Sequence, residues 1–141
     1  MRPEEREAGF AKAPSKQRSA YKRDVVARGL DSRFVKDAVE HHERLLTWID
    51  DAVKDGPYLA GDTYSLADVA VIPYILRLEL LRLSRMWDRR PGVAAWWERV
   101  RQRSSTNTAI FKRMTDADAA PFENLTPDPW PKVQEMLLAA A

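Results

Sequence analysis

The side chains that most often carry catalysis or bind metals are scarce in this chain of 141 residues. It contains no cysteine, and its two histidines, His41 and His42, are neighbours. The composition therefore argues against thiol catalysis, disulfides and cysteine-bound zinc, and two adjacent histidines supply little material for a triad or a metal cage. One of them falls on the apolar stripe of a predicted helix and the other on its polar flank. We predict no metal site and no catalytic residue in this chain.

A hydroxyl and a carboxylate three positions apart, Ser65 and Asp68, form the clearest local motif. The Ser65 side chain can accept a hydrogen bond from the backbone N–H of residue 68, and the Asp68 carboxylate can accept one from the N–H of residue 65. Both bonds satisfy donors that the first turn of a helix leaves unpaired. The motif predicts a structural capping box at the start of a helix.

The elements around this motif are predicted to be helices. Apolar residues recur every three or four positions, no segment keeps the strict alternation of a strand, and glycine is scarce. We predict an all-α bundle of about five to six helices. Their expected positions are residues 3–28 with a break at Pro14, 32–54, 66–84 with a bend at Pro73, a short helix from Pro91, and another after the cluster 104–107.

Two of these helices carry specific packing predictions. The helix over 66–84 has apolar residues on nearly every side, so we expect other helices to surround it. In the helix that starts at Pro91, helical spacing predicts that at least one of Trp96 and Trp97 packs in the core.

The C-terminal residues are rich in proline, with Pro121, Pro127, Pro129 and Pro131. Proline favours an extended course, so we predict a tail with one final turn or two of helix from residue 133. The chain then divides into a helical domain, residues 1–116, and a proline-rich tail with a short helix, residues 117–141.

Three stretches carry a family resemblance. Residues 58–62 read YLAGD, residues 65–69 read SLADV, and residues 90–100 read RPGVAAWWERV. At this separation the set resembles the C-terminal helical domain of cytosolic glutathione S-transferases. The segments 77–79 and 86–87 are most similar to bacterial transferases of the dehalogenase-like or ganglioside-differentiation-related branch.

The resemblance implies a function for the complete protein. Glutathione is then the co-substrate, bound and activated by an N-terminal thioredoxin-like domain, while the helical domain holds a small hydrophobic electrophile; the complete protein is expected to be a homodimer. This sequence shows no βαβ pattern, so we expect the thioredoxin-like half to be absent and the chain to be inactive by itself.

The resemblance also implies where the electrophile binds, because the family uses its first long helix for this purpose. The candidates there are Arg18, Tyr21, Lys22 and Val25, since an aromatic ring beside cationic donors can stack on an aromatic electrophile and hold an anionic group. The alternative is a tyrosine that packs in the fold, surrounded by solvated charges.

Two other functions compete with this interpretation. One is a non-catalytic protein–protein interaction module of the same fold. The other is nucleic-acid binding, because residues 77–113 hold ten basic and three acidic side chains, although the whole chain balances 23 Lys and Arg against 21 Asp and Glu. We expect no specific nucleic-acid binding. No secretory signal or membrane span is evident, so we expect a cytoplasmic protein without membrane contact.

Overall fold

The computed structural model describes residues 2–12, 15–123 and 125–140. These residues form helices and no strand, apart from one isolated bridge between Tyr58 and Gly61. The predicted all-α class is confirmed. The α-helices are α1 (Pro3–Ala11), α2 (Lys16–Arg28), α3 (Arg33–Ala52), α4 (Leu66–Leu80), α5 (Pro91–Arg101), α6 (Ser104–Thr106), α7 (Asp116–Glu123) and α8 (Trp130–Ala140).

Short segments of other helix types join these elements. Two 3-10 helices, Gly29–Asp31 and Ser84–Trp87, precede α3 and α5, and a π-helical turn, Asn107–Phe111, continues α6. Within the described part of the chain, no helix is both long enough and apolar enough to cross a membrane.

The N-terminal helix predicted over residues 3–28 is divided into α1 and α2. The Ser15 hydroxyl caps α2, and the buried Ser19 hydroxyl donates to the Phe10 carbonyl, which holds the two helices together. Pro14, where we predicted the break, lies outside the described residues. Gly29 ends α2 with a φ of 54°, a conformation that glycine adopts without strain.

The long amphipathic helix α3 is the main support of the bundle. The buried Ser32 caps its start and donates to the Asp24 carboxylate at 2.6 Å, so it also ties α3 to α2. Val39, Leu46 and Ile49 lie on one face and are buried. Both α5 and α8 pack against this helix, so α3 joins the N-terminal and C-terminal parts of the fold.

Helix α4 ends at Leu80, about one turn before the predicted end at residue 84. Arg82 has a φ of 59°, its N–H donates to the Glu79 carbonyl, and the Leu83 N–H donates to the Leu78 carbonyl at 2.8 Å. This pattern is a Schellman motif, which usually has glycine at the left-handed position. The sequence offered no glycine there, so the early end could not be predicted.

Both tryptophans of α5 are buried, with Trp96 fully enclosed and Trp97 only 4% exposed. The two neighbours reach opposite ends of α4: the Trp96 indole N–H donates to Asp68 and that of Trp97 donates to Glu79. Each polar indole atom therefore has its own partner, which is what burial of tryptophan requires.

The C-terminal segment differs from the predicted extended tail. Residues 116–123 form α7, and α8 is a helix of 11 residues that packs on α3. Its Val133 is 1% exposed and belongs to the core. Proline is compatible with the first turn of a helix, which is where Pro131 lies in α8. The Arg82 guanidinium also anchors this segment by donating to the carbonyls of Glu123 and Leu125.

Candidate functional site

Asp68 lies at the centre of a buried hydrogen-bond network at the start of α4. Its carboxylate accepts from the backbone N–H of Leu59 at 3.0 Å, the backbone N–H of Ser65 at 2.9 Å and the indole N–H of Trp96 at 2.8 Å. The Ser65 hydroxyl donates to it as well, and accepts from the N–H of Ala67. The side chain of Asp68 is completely buried. Its contacts describe a structural carboxylate that is closed to substrate.

The electrostatics of Asp68 agree with this role. Burial would raise the pKa of its carboxyl, but the hydrogen bonds from Trp96, Leu59 and Ser65 together hold that pKa below its usual value. The carboxylate is therefore charged at neutral pH and fully used as an acceptor.

The loop before α4 is held in place by Arg103. Its guanidinium donates to the Tyr58 hydroxyl at 3.1 Å and stacks 3.9 Å from the ring centroid of Tyr64. The loop also needs two glycines. Gly61 has a φ of 100°, and a Cβ on Gly56 would lie 2.6 Å from the carbonyl carbon of Gly61. This loop contains Leu59, whose backbone N–H donates to the Asp68 carboxylate.

A cleft of about 510 Å³ opens where the start of α2 meets the start of α3. Its lining residues are Ser15, Gln17, Arg18, Tyr21 and Phe34. The Tyr21 and Phe34 rings meet edge to face, with centroids 4.9 Å apart, and Tyr21 is 41% exposed. The cleft therefore combines an accessible aromatic surface with a cation.

The structure separates the four predicted substrate residues into two pairs. Arg18 and Tyr21 line the cleft. Lys22 is exposed and Val25 is half-buried, and neither is among the lining residues. Phe34 was missed, because helical spacing within one segment does not show which residue of the next helix lies opposite.

Helix α4 has one exposed apolar face, which corrects the prediction that other helices surround it. Leu66 is 84% exposed, Val69 46% and Tyr74 56%, and Ala70 and Pro73 lie exposed between them. We call these five residues the open face. Their spacing of three or four places them on one side of the helix. Nearly uniform hydrophobicity around α4 gave no periodic signal that would have marked the exposed side.

The histidines show no arrangement for metal binding. The Nδ1 atoms of His41 and His42 lie at hydrogen-bond distance from the carbonyls of Asp37 and Ala38, one helical turn earlier. Among the described residues, no group of three or more His, Asp or Glu side chains is placed to hold an ion.

The region that contains the cleft, the Asp68 network and the open face also carries the family signature. Residues 17–99 match the family described as glutathione S-transferase, C-terminal domain. This chain belongs to that family. The glutathione S-transferase C-terminal domain therefore extends here from α2 into α5.

Curated proteins with related sequences agree with this assignment. Glutathione S-transferase TCHQD of Arabidopsis thaliana is 34% identical over 96 residues, which are 67% of this chain and 35% of the relative. Tetrachloro-p-hydroquinone reductive dehalogenase of Sphingobium chlorophenolicum is 30% identical over 79 residues, or 56% of this chain and 32% of the relative. Disulfide-bond oxidoreductase YfcG of Escherichia coli is 31% identical over 70 residues, covering 50% of this chain and 32% of the relative.

The matched parts cover about a third of each relative's length. No solved structure gives a significant match. Members of the glutathione S-transferase family use glutathione as co-substrate, and complete enzymes of the family combine this domain with a thioredoxin-like partner domain and form dimers.

Proposed function

We propose that this domain holds the electrophilic substrate of a glutathione transferase and that a glutathione-binding thioredoxin-like domain docks on the open face of α4. The observation that carries the proposal is the exposure of Leu66, Val69 and Tyr74 along one side of a helix within the family's region. A contiguous apolar face of this kind is typical of an interaction surface.

The open face of α4 and the cleft on α2 both border α3. Tyr74 meets His42 edge to face with centroids 6.3 Å apart, and Tyr21 meets Phe34. His42 and Phe34 are eight residues apart on α3, which corresponds to about 12 Å along the helix axis. A domain seated on the open face would thus reach the neighbourhood of the cleft, where its bound thiol has to meet the electrophile.

The chemistry of the cleft fits this division of work. Glutathione would supply the nucleophile: its thiolate sulfur forms a bond to an electrophilic carbon, and a halide or similar group leaves with the displaced electron pair. Tyr21 and Phe34 would stack on the aromatic body of the electrophile, and Arg18 would hold an anionic substituent. Among the described residues, none forms a hydrogen bond or an ion pair with the Arg18 guanidinium. Lys22 and Val25 would contribute at the rim.

Mixing experiments test the proposal. The chain is combined with a separately expressed thioredoxin-like transferase domain, and complex formation is measured by calorimetry together with conjugation of a chromogenic aryl halide to glutathione. We expect a complex and conjugation in the mixture. Tyr74→Ser should weaken the complex about tenfold or more, because burial of a large apolar side chain contributes roughly 1.5–3 kcal/mol.

A matched variant separates docking from substrate binding. Val26→Ser changes an exposed apolar residue of α2 outside the open face and should leave complex formation unchanged. Tyr21→Ala should raise the KM for the aryl halide and leave the affinity of the two domains intact. Conjugation by the chain alone would contradict the proposal. A complex with some other protein, without conjugation in any mixture, would favour the interaction-module alternative.

A further inference from the structure

The cleft on α2 offers hydrogen-bond donors and no carboxylate. Ser15, Gln17 and Arg18 supply its polar side chains, and Tyr21 and Phe34 supply its aromatic surface. The Ser15 hydroxyl accepts from the backbone N–H of Arg18 and keeps its own proton for a ligand. A lining with one positive charge and no negative charge favours an anionic group over a neutral one.

A second cation lies at the edge of the cleft. Arg33, the first residue of α3, is not a lining residue, but its guanidinium carbon lies 4.7 Å from the ring centroid of Phe34, which is one. Contact with an aromatic face holds a guanidinium in place without using its N–H donors. Arg33 is exposed, and none of the described residues forms a hydrogen bond or an ion pair with its guanidinium. Those donors are therefore open to a ligand.

The three carboxylates between residues 24 and 37 do not neutralise these two arginines. Asp24 pairs with Arg28, and Asp31 pairs with Lys132. Asp37 is exposed and, within the described part of the chain, forms no ion pair with the arginine one turn before it. The cleft and its edge therefore carry two positive charges that no neighbouring carboxylate engages.

The two arginines come from the two helices that meet at the cleft, Arg18 from α2 and Arg33 from α3. Tyr21 and Phe34 form the aromatic contact between these helices, with centroids 4.9 Å apart. An aromatic ring placed on Phe34 would bring a charged substituent within reach of guanidinium groups from both sides. The paired N–H donors of a guanidinium match the two oxygens of a carboxylate.

We infer that the cleft selects aromatic electrophiles that carry a carboxylate, and that Arg33 determines this specificity together with Arg18. The ring of such an electrophile lies against Tyr21 and Phe34. The inference rests on the proposed transferase function for the reaction, whereas the charge preference follows from the cleft itself. It narrows the substrate class from small hydrophobic electrophiles to anionic ones.

Two probes that differ only in charge test the inference, 4-chloro-3-nitrobenzoate and its neutral amide, 4-chloro-3-nitrobenzamide. Calorimetry on the full chain without glutathione measures binding alone. We expect the benzoate to bind about tenfold more tightly than the benzamide. Arg33→Gln should raise the Kd of the benzoate about fivefold, through loss of one partly exposed charge contact, and leave that of the benzamide unchanged. Arg18→Gln should do the same.

Arg44→Gln is the matched control for net charge. It removes an exposed arginine of α3 that lies outside the cleft, about three helical turns beyond Arg33. The Kd of the benzoate should stay unchanged in this variant. The inference is overturned if Arg44→Gln weakens binding as much as Arg33→Gln, or if the native chain binds the two probes with equal Kd.

Conjugation of the same probes separates this inference from the proposed function. In the mixture with a thioredoxin-like domain, the glutathione thiolate bonds to the ring carbon and chloride leaves with the electron pair. Arg33→Gln should lower the ratio of kcat/KM for the benzoate to that for the benzamide about fivefold. Tighter binding of the benzoate without conjugation of either probe would support the charge preference and contradict the proposed function. Conjugation with a ratio that neither Arg33→Gln nor Arg18→Gln changes would overturn the inference and leave the proposed function intact.

Discussion

The two sides of α4 have similar hydrophobicity and different surroundings. On one side, Asp68, Ile72 and Ile75 are buried, and the indole of Trp96 closes over the carboxylate. On the other side, Leu66 and Tyr74 are mostly exposed. The buried side holds the fold together, whereas the open face is available for a partner. Substitutions on the two sides should therefore differ in kind: the first should affect unfolding, and the second binding.

The largest effect on stability is expected from Asp68→Ala. This change leaves the indole N–H of Trp96 and the backbone N–H of Leu59 buried without an acceptor, and it removes half of the capping box. We expect a loss of about 3–5 kcal/mol in the free energy of unfolding, measured by urea denaturation with circular dichroism. Asp62→Ala, an exposed carboxylate of the same region, should change it by less than about 0.5 kcal/mol. Equal losses in the two variants would show that the buried Asp68 carboxylate contributes no more to stability than the exposed Asp62 carboxylate.

A smaller, pH-dependent effect should follow from the lowered pKa of Asp68. Because the folded pKa lies below the ordinary value of 3.8, the contribution of the carboxylate is fully present above that value. It is lost as the pH falls through the lower folded pKa. The stability of the native chain should decline in this acid range more steeply than that of Asp68→Asn, which has no proton to bind there. If urea denaturation gives parallel pH profiles for the native chain and Asp68→Asn, the pKa of Asp68 does not change on folding and the prediction is wrong.

Loss of the cap hydroxyl should have an intermediate effect. Ser65→Ala removes the acceptor for the backbone N–H of Ala67 and should cost about 1 kcal/mol in the free energy of unfolding. Ser105→Ala, at an exposed position within α6, is the matched control. The same urea measurement compares them, and an unchanged midpoint for Ser65→Ala would show that the cap is dispensable.

The smallest stability effect is expected on the open face, from Tyr74→Ser. The ring of Tyr74 contacts the ring of His42, but the residue is 56% exposed. We therefore expect the free energy of unfolding to change by only about 0.5 kcal/mol. Ile75→Ser, at the neighbouring buried position, should cost several times more. Similar losses at positions 74 and 75 would show that α4 has no functionally distinct open face.

Local patterns in the sequence predicted much of the fold. The start of α4, the length of α3 and the all-α class follow from caps and helical spacing, which act between residues close in sequence. The end of α4 was missed because Arg82 occupies a position where glycine is usual. The helix α8 was predicted too short, with only a turn or two from residue 133, because its order depends on packing against α3, far away in sequence.

The candidate sites divide in the same way. Arg18 and Tyr21 were predicted because the family resemblance points to the first long helix, whereas Phe34 entered the cleft only through the packing of α2 on α3. A cavity between residues 85–90 and α8 could not be predicted, because it forms where residues near position 85 meet a helix that begins at Trp130.

The sequence alone determined that α3, α4 and α5 are helices, where α4 starts, and that the chain resembles one family, because these features depend on short-range hydrogen bonds and on motif spacing. The tertiary structure decided which side of α4 faces water and which distant side chains share a cavity. Both depend on how the helices pack, and nearly uniform hydrophobicity along a helix such as α4 does not specify which face a neighbour will cover.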